Sequence, residues 1–111
     1  MIVLKFKRHD TLPTVRAVIK YSDTKELIDF GTHATSWFHL KQDQDNLLYL
    51  ASLATIIGQY GTVEYNWNPG DLGTIGDFWG EFQFIMTDGT LTAPTEHSLK
   101  IQVLEDYDNE E

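Results

Sequence analysis

The chain has 111 residues, the size of one ordinary domain and too short for two. Its 41% hydrophobic and 13% aromatic content is enough for a single core, and without cysteine that core has no disulfide, thiol chemistry or Cys-ligated zinc. The formal net charge of −9, from 17 Asp and Glu against 8 Lys and Arg, sets a repulsive field against phosphate backbones, so no nucleic-acid partner is expected.

In chain order, Ile2 to Lys7 reads as a first strand. The positive charges of the N-terminus follow a very short apolar run, and no stretch approaches the roughly 18 apolar residues of a membrane span. Neither a signal peptide nor membrane association is therefore expected. Pro13 cannot donate to a ladder, so Thr11-Leu12-Pro13 interrupts the pattern at an edge or a crossing between sheets. Val15, Ala17, Ile19 and Tyr21 then alternate with Arg16, Val18 and Lys20, a strand with one apolar face. A polar turn over 22–26 precedes a short apolar segment, Leu27 to Gly31.

The next strand is expected from about His33 to Leu40. An inward set of Ala34, Ser36, Phe38 and Leu40 places Trp37 and His39 on the opposite face. Lys41 to Asn46 has the composition of a turn. Leu47 to Ile57 fits two periods: Leu47, Leu50, Ala51 and Ala54 line a helix face, whereas Leu48, Leu50, Ala54 and Ile56 line a strand face. The surrounding β elements and the β-branched Ile56-Ile57 favour the strand.

Thr62 to Asn68 carries the cleanest alternation, with Val63, Tyr65 and Trp67 on one face. Asn68-Pro69-Gly70-Asp71 has proline and glycine where a type II turn needs them. Phe78, Gly80, Phe82, Phe84 and Met86 form the next apolar face against Trp79, Glu81, Gln83 and Ile85, and Asp88-Gly89 supplies a hairpin turn. Leu99 to Leu104 is the last strand, pointing Leu99, Ile101 and Val103 one way. Short strands at roughly ten-residue spacing predict an all-β fold, an immunoglobulin-like antiparallel β-sandwich of about seven or eight strands over residues 1–104. Residues 105–111 form an acidic C-terminal tail expected to be flexible. The expected core is Val63, Tyr65, Trp67, Phe78, Phe82, Phe84, Ile101 and Val103, leaving Trp37, His39 and Trp79 as candidate interface residues.

No catalytic residue, cofactor or metal is expected. His9, His33, His39 and His97 lack the close spacing that puts ligands on one site. Asp43-Gln44-Asp45-Asn46 opens like a calcium loop, but Leu48 stands at its sixth position and Ala54 at its twelfth. A Gly-x-Ser-x-Gly elbow and a phosphate-cradling glycine loop are both absent, so the chain is not expected to be an enzyme.

Asp10-Thr11-Leu12-Pro13-Thr14-Val15-Arg16-Ala17, Ile28-Asp29-Phe30-Gly31, Trp37-Phe38-His39-Leu40, the run Gly61 to Asp71, Gly76 to Phe82 and Thr87 to Thr90 occur in a characteristic order and spacing. Together they resemble the N-terminal domain of phage baseplate upper proteins and related immunoglobulin-like domains of tailed-phage structural proteins, over nearly the whole chain to about Val103. The resemblance implies a virion component, synthesised in the host bacterial cytoplasm, that contacts other virion structural proteins as a connector, adaptor or decoration. Attachment to a symmetric particle favours presentation as a homo-oligomer. Family members generally continue into a helical or fibre-forming region, which is not expected to follow the domain here. Phe78 also departs from the tyrosine-corner pattern of immunoglobulin folds, lacking its hydroxyl. The alternative is a carbohydrate-binding β-sandwich module that stacks sugars on exposed aromatics.

Overall fold

The computed structural model describes residues 2–21, 24–31, 34–87, 89–93 and 99–105, and among these there is no helix. Eight strands follow in order: β1 (Ile2–Lys7), β2 (Val15–Val18), β3 (Thr35–Gln42), β4 (Leu48–Ile57), β5 (Thr62–Tyr65), β6 (Gly76–Met86), β7 (Gly89–Ala93) and β8 (Leu99–Leu104). They form one curled sheet in the order β1-β8-β6-β3-β4-β5-β2, with β7 beside the far half of β6. The fold is all-β and sandwich-like, as the alternation predicts. One feature of the expectation is corrected: the sheet is mixed, because β1 runs parallel to β8 while every other pair is antiparallel. A parallel partner needs a long crossover, and here nearly the whole domain separates the two strands.

The curl is made by β4. Its residues Leu48 to Ala54 pair with β3, and Thr55, Ile56 and Ile57 pair with β5, so one continuous strand passes from the larger layer to the smaller. A β4 helix would have left β3 and β5 without this shared neighbour. The inward face of β4 differs from the expected one at its start. The register shifts between Leu40 and Lys41, so Leu48 turns out to solvent at 57% exposure and Tyr49 turns inward, with its ring 4.8 Å from that of Phe78. A bulge exchanges the two faces of a strand; here it is in β4, where Leu50 to Leu48 spans two residues against the single step from Leu40 to Lys41 and leaves Tyr49 without a ladder partner, and only the pairing register reveals it.

The layers close over aromatic rings. Phe38 of β3 stacks on Tyr65 of β5 at 4.8 Å between centroids and meets Trp67 edge-on at 5.6 Å and Phe82 at 4.9 Å. Phe6 of β1 reaches Trp67 at 5.2 Å, and Phe30 stacks on Phe84 at 4.6 Å. Val63, Tyr65, Trp67, Phe78, Phe82, Phe84, Ile101 and Val103 are all buried in this one cluster, which also takes in Leu72, Ile28 and Phe30. Offset or edge-on ring pairs contribute about 0.5–1.5 kcal/mol beyond the area they bury.

The polar tips of the core aromatics have partners. Trp67 Nε1 donates to the Pro13 carbonyl at 3.1 Å, tying the segment between β1 and β2 to the core. The Tyr65 hydroxyl donates to Asp71 Oδ2, which also accepts the Asn68 amide at 2.8 Å. Asp71 closes the expected turn, its amide donating to the Asn68 carbonyl at 3.0 Å across Gly70 at φ +92°. Tyr65 thus supplies a phenol that ties the chain to a neighbouring turn, the kind of anchor Phe78 lacks. His33, His97, Asp88 and residues 106–111 of the acidic tail lie outside the described residues.

Candidate docking face

Because the core takes Ser36, Phe38 and Leu40 from β3 and Phe78, Gly80, Phe82 and Phe84 from β6, the intervening residues project from the opposite side of the larger layer. Trp37, His39 and Trp79 are therefore on one outer face, and all three are half-buried by their neighbours. Register fixes their spacing: Trp37 lies opposite Gln83, His39 opposite Glu81 and Lys41 opposite Trp79. The two tryptophans stand about 14 Å apart, four residues along and one strand across, so they belong to two ends of the face rather than to one cluster.

At one end the surroundings are apolar. Trp37 pairs across β4 with Leu53, which is 59% exposed, and Ile85 on the next row is 45% exposed. Thr92 of β7 flanks Gln83 on the same side. The signal for Leu53 and Ile85 was present in the sequence as parity with Trp37, but only the pairing register brings the three together.

At the other end Trp79 is held by charged groups. Its indole Nε1 donates to Asp43 Oδ1 at 2.6 Å, and the Lys100 ammonium lies 5.6 Å above its ring. Lys100 Nζ is also 3.6 Å from Asp77 Oδ2, while Glu81 Oε2 lies 3.3 Å from Lys41 Nζ and 3.6 Å from His39 Nδ1. By composition Asp43 belongs to a turn, and the calcium-loop pattern it opens fails at Leu48 and Ala54. It is indeed in the β3–β4 turn, where its amide donates to the Asp77 carbonyl at 3.0 Å and so brings its carboxylate to Trp79.

Beside this end a cleft of about 340 Å³ is lined by Gln42, Asp43, Gln44, Thr74, Asp77 and Phe78, among others. Among the described residues no group of three His, Asp or Glu side chains is placed to hold a metal ion. His9 lies in the turn after β1 and His39 within β3. Compared with known proteins, the chain matches no protein-family model and no curated protein.

Proposed function

We propose that the chain is a non-enzymatic structural protein of a tailed-phage virion that docks other virion proteins through the outer face of its larger layer. The observation that carries docking is the company of Trp37: an indole, Leu53 and Ile85 project together from a paired, rigid part of the sheet. Aromatic anchors on a preorganised surface provide a large share of protein–protein binding energy. Closing a core without metal or disulfide leaves the exterior free of structural duty, which suits a module repeated around a symmetric particle. The virion setting rests on the order and spacing of the motifs between Asp10 and Thr90.

The sugar-binding alternative asks more of Trp79 than its surroundings give. A stacking platform presents a bare ring face, whereas Lys100 covers one face of this indole and Asp43 engages its edge. Quantitative mass spectrometry of purified particles encoded alongside this chain tests the proposal. A copy number matching a particle symmetry is expected, with loss of incorporation in Leu53→Asp. Particles lacking the chain, or polysaccharide binding abolished by Trp37→Ala, overturn it.

A further inference from the structure

Among the described residues three strands leave one side unpaired: β1 and β2 at the ends of the sheet order, and β7, which pairs only with the far half of β6. An open edge presents backbone donors and acceptors, and charge, proline or shortness ordinarily keeps it from adding a further strand. β1 carries Lys5 and Lys7, and β2 is four residues long with Arg16 inside it and Pro13 shortly before it. β7, Gly89-Thr90-Leu91-Thr92-Ala93, contains neither a charge nor a proline. In a chain of net charge −9 it is the edge of these three across which a second copy meets least repulsion.

The hairpin fixes what this edge offers. Only two residues separate Met86 from Gly89, so that pair is hydrogen-bonded, and alternation makes Phe84–Leu91 and Phe82–Ala93 hydrogen-bonded pairs as well. Thr90 and Thr92 therefore aim their N–H and C=O groups away from β6. Pairing β7 with itself about a twofold axis at Leu91 sets Thr90 opposite the partner's Thr92, and each such pair exchanges both N–H···O bonds. The threonine side chains then form cross-strand pairs of a favourable kind. On the inner side Leu91 meets its own copy as a non-hydrogen-bonded pair, the arrangement in which side chains stand closest. Leu91 also lines a cleft of about 310 Å³ with Tyr21, Ile28, Asp29 and Met86, among others, so a second leucine there covers apolar surface that one chain leaves open.

We infer that β7 is a homodimer edge: two copies join strand to strand through Gly89–Ala93 and make one continuous sheet. The inference deepens the docking reading, because Thr90 and Thr92 share the outward parity of Ile85 and Gln83 and so lie on the docking face. Joined this way, the two Trp37 side chains lie about 25 Å apart on one surface, each two strands in from the join. A partner with two matching sites then engages both at once, at higher avidity than either site alone gives. A five-residue edge is a small interface, below the roughly 1,200 Å² of standard complexes, so pairing is expected to be weak in free solution.

Sedimentation equilibrium from about 10 μM to about 1 mM reads the mass, and twice that of the chain is expected at the upper end. Thr92→Pro removes an N–H that no ladder bond within the chain uses. It is expected to weaken association at least about tenfold, because the twofold deletes two bonds at once. In the unaltered chain the Thr90 and Thr92 amides are expected to gain protection from exchange as concentration rises, a measurement that decides alone if Thr92→Pro does not fold. Leu53→Asp is expected to leave the dimer intact, so loss of docking and loss of pairing are read separately. A chain that stays monomeric to about 1 mM overturns the inference. So does a dimer undiminished by Thr92→Pro, or exchange at Thr90 and Thr92 that does not respond to concentration.

Discussion

The Tyr65 hydroxyl sits where the smaller layer meets the turn at Asn68–Asp71, and its environment favours the protonated phenol. Burial, followed by the hydrogen bond to Asp71, pushes its pKa up from the ordinary 10.0 to about 12. The unfolded chain therefore releases this proton first as pH rises. The stabilisation is complete below pH 10 and is lost between pH 10 and about 12, amounting on the order of 2–3 kcal/mol over that window. Tyr65→Phe is expected to cost about 1 kcal/mol at neutral pH, because Asp71 keeps the Asn68 amide as donor. The variant's stability is expected to fall less steeply than the parent's above pH 10. Urea titrations at pH 8, 10 and 11 read this directly, and parallel losses in both proteins would show that the phenol carries no such linkage.

At the scale of the element, pairing decides what alternation leaves open. The inward faces of β5 and β6 were readable because Val63, Tyr65, Trp67 and Phe78, Phe82, Phe84 repeat at period two, and that period is the pleat itself. Which strand lies beside which is a different kind of information. The parallel match of β1 with β8 and the shift between Leu40 and Lys41 are properties of two strands at once, and Leu48 was misplaced for that reason. The candidate site divides the same way: Trp37, His39 and Trp79 were placed outside by their own parity, whereas Leu53, Lys100 and Asp43 reached them only through register and a turn. Topology also predicts amide exchange. Strand β3 has ladders on both sides, while β1 and β2 close the two ends of the sheet order with one partner each among the described residues. The outward amides of β1 and β2 are expected to exchange about a hundredfold faster than those of Trp37, Phe38 and His39, which open with the global transition. Equal protection in β1 would mean that its free edge is covered by another strand.

Across the whole molecule, the inward faces of β3 and β4 serve stability, and the proposed docking falls to their outward faces. Phe38 is fully buried and joins Tyr65, Trp67 and Phe82, rings from both layers. Phe38→Ala removes the side chain common to these contacts and is expected to cost about 3–5 kcal/mol, a large part of the 5–15 kcal/mol that typically holds a domain of this size. Leu53, one strand away but facing out, supports no part of that cluster. Leu53→Asp is expected to shift stability by less than about 1 kcal/mol, the span of strand preference. It nevertheless places a carboxylate beside Trp37 and is expected to abolish partner binding. Urea midpoints and binding measured on the same two variants give opposite rankings if the outer face is the docking surface. If Leu53→Asp unfolds the chain instead, the apolar end of that face serves the fold, and the partner must be sought on another surface.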